Sequence, residues 1–218
     1  MGAVEVLSGL YAITPDWGDT ARLLATTRAL LDGGCRLVQY RNKTAAPGLR
    51  LEQARTLRAL TDRYAARLIV NDDLALGLEV GADGVHLGLH DGDLAAARAA
   101  LGPAALLGAS CYQSLPLARA AVAAGADYVA FGSVFPSPTK PQAGRATPTL
   151  LAEAVRELPV PVVAIGGITL ENVCALIETG VSLVAVISAL YEASDPRQAA
   201  TQFIARFATG KEQHDLAQ

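Results

Sequence analysis

The stretch GADYVAFG, residues 125–132, decides the fold because similar stretches recur along the chain. GGCRLVQY at 33–40, GADGVHLG at 81–88 and GVSLVAVIS at 180–188 also place a glycine shortly before β-forming residues. These glycines, Gly34, Gly81, Gly125 and Gly180, lie 47, 44 and 55 residues apart. Because such an interval holds about two strand–helix units, the repeats predict strands two, four, six and eight, each following a helix that ends at glycine.

Between the repeats, β-type runs alternate with Ala- and Leu-rich segments of helical period, which predicts a parallel sheet covered by helices. The predicted strands are 9–14, 37–41, 68–71, 84–87, 105–110, 128–132, 161–165 and 183–187. The predicted helices are 19–31, 49–64, 93–100, 115–123, 149–157, 170–178 and 196–207.

Four such double units close as a (β/α)8 TIM barrel of the α/β class. We expect one domain over residues 1–218, with short flexible ends at about 1–8 and 209–218. The alternative is a doubly wound open sheet, but no GxGxxG motif follows the first strand.

Composition narrows the classes of partner. The net charge is −3 and no basic block occurs, which argues against a nucleic-acid partner. No run reaches the roughly 18 apolar residues of a membrane span, and the first residues lack a basic signal-peptide region, so no membrane association is expected. Cys35, Cys111 and Cys174 lack metal-ligand spacing, which predicts core residues of a cytoplasmic protein. The sequence leaves a homo-oligomer open.

Polar residues cluster where the predicted strands end, the edge at which barrel enzymes place their active sites. Any one cluster fits ordinary turn chemistry, but seven consecutive strand ends predict a shared site. In order, these ends read QYRNK at 39–43, NDD at 71–73, LGLHD at 87–91, GAS at 108–110, FGSVFPSPTK at 131–140, GGI at 166–168 and IS at 187–188.

The last two strand ends indicate a phosphate site. Gly166 and Gly167 allow close approach of the backbone to an anion, and Ser188 offers a hydroxyl donor. Arg41, Lys43 and Lys140 would add positive charge at the same rim, although each alone is more often a solvated side chain.

Asp72 and Asp91 follow neighbouring strands and predict a metal site. A carboxylate within ~4 Å of a phosphate charge costs on the order of 4 kcal/mol at an effective dielectric constant of about 20. A divalent cation between the two carboxylates reverses the sign, and Mg²⁺ suits such oxygen ligands. The alternative is that Asp73 and Asp91 are helix N-caps and that Asp72 is a turn residue. We accept this alternative for Asp73, which precedes the helical LALGLEV.

No serine or cysteine triad is evident. His86 lies within a strand and His90 beside Asp91, and neither is assigned a role. Lys140 lies in a Pro- and Ser-rich loop, which argues against a desolvated Schiff-base lysine.

With QYRNK, NDD, GVHLGxxD, GAS, FGSVFPSPTK, IGGIT and VIS in this order, the chain resembles the thiamine-phosphate synthase family from about residue 10 to 207. The resemblance implies a barrel transferase of thiamine biosynthesis that uses Mg²⁺. It would join a 4-amino-2-methylpyrimidine diphosphate to a thiazole phosphate, forming thiamine phosphate and diphosphate.

The resemblance also implies residue roles. Asp72 and Asp91 match the Mg²⁺ ligands. Ser110 and Lys140 match catalytic residues at the diphosphate and the reacting carbon, and Arg41 matches a catalytic residue that faces the diphosphate. Asn71 matches a pyrimidine-site residue. The other implied substrate-binding residues are Gln39, Tyr40, Asn42, Lys43, Ser137, Pro138, Thr139, Gly167, Ile187 and Ser188. The family often has Leu and Glu at the positions of Tyr40 and Asn42.

Two other functions remain open from the residues. A thiazole tautomerase on the same scaffold needs neither diphosphate nor metal, and a non-catalytic barrel would bind only a phosphorylated metabolite. The acidic pair and the three cations favour the transferase over both.

Overall fold

The structure, a computed structural model, describes residues 7–136 and 145–216, and their side chains up to residue 210. Within these residues, parallel strands form a closed barrel in which β1 pairs with both β2 and β8. The predicted (β/α)8 fold is therefore confirmed. The strands are β1 (Gly9–Ile13), β2 (Leu37–Tyr40), β3 (Arg67–Asn71), β4 (Gly84–Leu87), β5 (Leu106–Tyr112), β6 (Tyr128–Gly132), β7 (Val162–Ile165) and β8 (Leu183–Val186).

Helices follow the strands and cover the barrel. They are α1 (Thr20–Asp32), α2 (Pro47–Arg63), α3 (Leu74–Glu79), α4 (Leu94–Leu101), α5 (Leu115–Ala123), α6 (Pro148–Glu157), α7 (Val173–Ile177), α8 (Ser188–Tyr191) and α9 (Pro196–Leu216). Among the described residues, no helix combines the length and the apolar character needed to cross a bilayer.

Side-chain caps fix where several helices begin. Asp19, Asp73 and Ser114 each accept a hydrogen bond from the backbone N–H three residues later. Asp195 does the same for Gln198, at 2.9 Å. An N-cap oxygen satisfies an N–H group that has no partner within the helix. The predicted cap at Asp73 is confirmed.

The repeat glycines end the preceding helices as predicted. Gly34, Gly81, Gly125 and Gly180 have φ angles of 99°, 60°, 96° and 84°. This left-handed region favours glycine, which has no Cβ to clash with the backbone. The repeat is therefore a helix-ending turn that returns the chain to the barrel.

Two helical segments differ from the sequence prediction. α8 was not predicted, because its four residues are too few to show a hydrophobic period. α9 continues to Leu216 rather than ending at 207, so the predicted flexible segment 209–218 begins inside a helix.

Buried residues fill both faces of the strands, as in other parallel sheets. Cys35 and Cys111 are buried as predicted, whereas Cys174 is exposed on α7, so its prediction as a core residue was wrong. The barrel interior is filled by Tyr11, Ile13, Leu37, Ile69, Leu106, Tyr128, Ala130, Val163, Leu183 and Ala185.

The amino-terminal end of the barrel carries two repeated ion pairs, which we call the aspartate–arginine clamps. Asp83, just before β4, binds Arg58 and accepts the Leu68 N–H at 2.6 Å. Asp127, just before β6, binds Arg98 and accepts the Leu107 N–H at 2.7 Å. Each clamp ties a helix to the starts of two neighbouring strands.

Candidate active site

The carboxyl ends of the strands surround a cavity of about 230 Å³. The structure brings predicted site residues together around it, although their individual chemical roles stay predictions. Those that line the cavity are Gln39, Arg41, Lys43, Asn71, Asp72, Asp91, Ser110 and Ile187.

The side chains of Asp72 and Asp91 meet at this rim. Burial, followed by the hydrogen bond with Asp72 and the negative charge of Asp72, raises the pKa of the Asp91 carboxyl. The Gly88 N–H, 2.9 Å from Asp91 Oδ2, and the Lys43 charge act in the opposite direction. Two carboxylates in contact repel each other unless a proton or a cation lies between them.

The Asp72 carboxylate of this pair is paired with Lys43, and the backbone of Asp72 has an unusual conformation. The Lys43 Nζ atom lies 2.9 Å from Asp72 Oδ2. Asp72 has a φ of 62°, a left-handed conformation that aspartate tolerates better than most residues. Strained backbone of this kind clusters at functional sites.

Asp16 is a site residue that the sequence reading missed. It lies in the loop after β1 and accepts two hydrogen bonds of 2.9 Å from Arg41 Nη1. Its Oδ1 also accepts the Lys43 backbone N–H at 2.7 Å. The signal in the sequence is the acidic residue of TPD at 14–16, which follows the first predicted strand.

Tyr40 and Asn42 face away from the cavity because side chains alternate along an extended strand. The Tyr40 hydroxyl donates to Gln53 Oε1 at 2.9 Å, and Asn42 Nδ2 donates to the same oxygen at 3.0 Å. Together with Arg50, they line a neighbouring surface pocket. The structure therefore places these two predicted binding residues against α2.

The predicted phosphate residues line a second cavity of about 460 Å³ after β7 and β8. Gly167, Ile187 and Ser188 contribute to its wall, as does Pro136 from the loop after β6. A Cβ on Gly167 would lie 2.6 Å from the Pro136 carbonyl oxygen, so only glycine fits there. Ile165, Ala185 and Ile187 line both cavities, which are therefore adjacent. Ser137, Pro138, Thr139 and Lys140 lie outside the described residues.

A buried series of hydrogen bonds lies beneath the first cavity, and we call it the buried chain. Gln39 Nε2 donates to the Tyr11 hydroxyl at 2.7 Å, and the Tyr11 and Tyr128 hydroxyls are 2.8 Å apart. The Tyr128 hydroxyl is 3.2 Å from His86 Nδ1, and His86 Nε2 is 2.9 Å from Ser110 Oγ.

His86 is the titratable group of the buried chain. Burial lowers the pKa of His86 to about 4, with the Asp72 charge acting weakly in the opposite direction, so the ring is neutral near pH 7. No role was predicted for His86, because a strand histidine is usually a hydrogen-bonded core residue. It is buried in the wall of the cavity, and its partner Ser110 lines the same cavity.

These features define a class of protein. A barrel rim with a carboxylate pair, two cations and an adjacent glycine-lined cavity fits an enzyme that acts on phosphorylated substrates.

Comparisons with known proteins narrow the class. Residues 10–190 match the family model described as thiamine monophosphate synthase. A thiamine-phosphate synthase of Thiobacillus denitrificans is 55% identical over 94% of this chain and 97% of its own length. One of Azoarcus sp. is 54% identical over 94% of this chain and 99% of its own length.

A solved structure supports the same family assignment. The thiamine phosphate pyrophosphorylase of Pyrococcus furiosus superimposes with a TM-score of 0.83 at 37% identity, covering 93% of this chain and 96% of that one. The chain belongs to the thiamine monophosphate synthase family, as the motifs predicted, and so to the transferases of thiamine biosynthesis.

Proposed function

We propose that this chain joins the methylene carbon of 4-amino-2-methyl-5-(diphosphooxymethyl)pyrimidine to the nitrogen of a thiazole phosphate. The new C–N bond forms as the C–O bond to diphosphate breaks, and the electron pair leaves with diphosphate. The contact between Asp72 and Asp91 beside Lys43 carries this proposal, because a site for phosphate alone has no use for two carboxylates.

The same contact fits Mg²⁺. Within the described residues no group of three or more acidic, histidine or cysteine side chains could hold a metal. Asp72 and Asp91 would therefore supply two oxygen ligands, and water and diphosphate oxygens the rest, the arrangement that Mg²⁺ favours in phosphate-handling enzymes. Bound there, Mg²⁺ would supply positive charge to the leaving diphosphate.

The cations of the rim would bind the same leaving group. Arg41, held by Asp16, keeps further N–H donors for diphosphate oxygens. Lys43 would turn from Asp72 towards the diphosphate once a divalent cation neutralises the acidic pair. We also assign Lys140 to the diphosphate on the family resemblance. Charge placed where charge develops in the transition state is a major source of catalysis.

The remaining groups would hold the two rings. Gln39, Asn71 and Ser110 line the first cavity, where the pyrimidine would lie. Its 4-amino group can donate electrons into the ring as diphosphate leaves, so no protein nucleophile is required.

Gly167, Ile187 and Ser188 would hold the thiazole phosphate in the adjacent cavity, and we assign Ser137, Pro138 and Thr139 to the same phosphate by resemblance. Fixing both reactants removes much of the entropic cost of their encounter.

An assay with both substrates tests the proposal. The purified protein is incubated with the pyrimidine diphosphate and the thiazole phosphate, with Mg²⁺ or with a chelator. We expect thiamine phosphate only when the metal is present. Tautomerisation of the thiazole without condensation would instead identify a tautomerase, and no reaction under either condition would leave a phosphate-binding barrel.

A further inference from the structure

The buried chain links two residues that face the first cavity, Gln39 and Ser110. Tyr11, Tyr128 and His86 lie between them and are buried inside the barrel. Burial raises the pKa of both tyrosines, so each hydroxyl keeps its proton. Every member of the buried chain therefore has a limited number of donors and acceptors. These numbers determine which atom donates in each hydrogen bond of the buried chain.

The first donor of the buried chain is Gln39, whose side-chain nitrogen donates to the Tyr11 hydroxyl. The Tyr11 proton is then satisfied by donation to Tyr128, 2.8 Å away, since any other assignment leaves a buried donor unpaired. Tyr128 in turn donates to His86 Nδ1. A neutral imidazole that accepts at Nδ1 carries its proton on Nε2.

His86 Nε2 therefore donates to Ser110 Oγ, at 2.9 Å. The hydroxyl proton of Ser110 is not used in that bond. It remains available to a ligand in the cavity that Ser110 lines.

The packing around the buried chain also favours this arrangement. A Cβ on Gly108 would lie 2.4 Å from the Tyr128 hydroxyl and 2.5 Å from His86 Nδ1, so glycine leaves the space that this hydrogen bond occupies. The rings of His86 and Tyr128 are stacked with centroids 5.5 Å apart.

We propose that Tyr11, Tyr128 and His86 are positioning residues that make Ser110 a hydrogen-bond donor to the pyrimidine diphosphate. They do so by holding His86 in the tautomer protonated at Nε2. Ser110 would touch the substrate, and the other three would act through it. This inference rests on the proposed function, since it assigns the Ser110 hydroxyl to an oxygen of that substrate.

The tautomer is measured directly by ¹⁵N–¹H NMR of the histidine rings. Loss of a signal in His86→Asn separates His86 from the other histidines. We expect a protonated Nε2 and an unprotonated Nδ1 in the wild type. In Gln39→Glu a carboxylate would accept from Tyr11, reverse every bond of the buried chain and move the proton to Nδ1. A wild-type ring protonated at Nδ1, or a tautomer unchanged by Gln39→Glu, would overturn the proposal.

A double-mutant cycle supplies the kinetic test. Tyr128→Phe keeps the ring but releases His86 Nδ1, so we expect kcat/KM for the pyrimidine diphosphate to fall about tenfold. The same change in a Ser110→Ala background should have little further effect, because the donor that it serves is gone. An equal loss in both backgrounds would indicate general damage and would contradict the proposal.

Tyr191→Phe is the matched control, because Tyr191 is another buried tyrosine, hydrogen-bonded to Thr27 away from the cavity. We expect its kcat/KM to stay near the wild-type value. A wild type that made no thiamine phosphate would contradict the proposed function instead, and the NMR measurement would still decide the direction of the buried chain.

Discussion

Aspartates occupy both ends of this barrel, but their neighbours differ. At the amino-terminal end, Asp83 and Asp127 each bind an arginine and a strand N–H group. At the carboxyl end, Asp72 and Asp91 contact each other and share the single charge of Lys43.

The difference lies in whether the protein itself supplies the opposite charge. Arginine offers several donors in a fixed plane, so one side chain neutralises an aspartate and bonds to nearby carbonyl groups as well. Arg98 does this with Asp127 and with the carbonyl oxygens of Gly102 and Ala105. The clamps are complete without a ligand, whereas the rim pair sets two carboxylates against one lysine, an excess of negative charge that the proposed Mg²⁺ would neutralise.

Asp72→Asn, which alters the rim pair, should have the largest effect, and the effect should be on turnover. Asparagine keeps the shape and tolerates the left-handed backbone, but it removes a proposed metal ligand. We expect turnover with Mg²⁺ to fall on the order of 100-fold or more, while the thermal midpoint changes little. Rates of thiamine phosphate formation measure this, and near-normal turnover would remove the metal assignment.

Asp127→Asn, which alters a clamp, should lower the stability of the protein and leave its turnover unchanged. Losing a charged hydrogen-bonding partner for Arg98 and Leu107 should cost about 1–2 kcal/mol of unfolding free energy, reduced by the partial exposure of the site. Urea denaturation measures the loss. Glu79→Gln, which alters an exposed pair with Arg55 outside both clamps, is the control and should cost less than about 0.5 kcal/mol. Equal losses would mean that the clamp is an ordinary surface pair.

Added Mg²⁺ should stabilise the wild type and not Asp91→Asn. At tenfold excess over the dissociation constant, binding contributes about 1.4 kcal/mol, which raises the thermal midpoint by roughly 4 °C in a chain of this size. Scanning calorimetry with and without the metal measures this shift. An equal shift in both proteins would place the ion elsewhere.

The rise in thermal midpoint that Mg²⁺ produces should also depend on pH. Because the pKa of Asp91 is raised on folding, the metal-free folded state binds more protons than the unfolded chain, and its stability falls as the pH rises through that pKa. Mg²⁺ needs the deprotonated pair, so its stabilisation grows over the same range. A shift that shrank as the pH rose would contradict this reading.

Asp73→Ala should have the smallest effect. It tests whether Asp73 differs in role from Asp72, its neighbour in sequence. Asp73 caps α3 and binds Arg50, so its loss should cost about 1 kcal/mol of stability. We expect kcat/KM to stay within about twofold of the wild-type value. Urea denaturation and the condensation assay measure these quantities, and a large loss of activity would extend the functional pair to a third aspartate.

Much of the site could be predicted because strand ends are local features. NDD at 71–73 and LGLHD at 87–91 follow apolar runs, and in a parallel barrel such ends must share one rim. Asp73 was separated from Asp72 because a cap precedes a helix by a fixed spacing. Asp16 was missed although it follows a strand too, since its contact with Arg41 spans 25 residues.

The sequence by itself determined the barrel, the glycines that end four of its helices and the rim that carries the polar residues, because each follows from the spacing of glycines, caps and apolar runs along the chain. Only the tertiary structure decided which aspartates are neutralised by arginine, that Tyr40 and Asn42 face α2, and that His86 joins Gln39 to Ser110. The reason is that charge and hydrogen-bond partners depend on distances across the barrel, which no local pattern encodes.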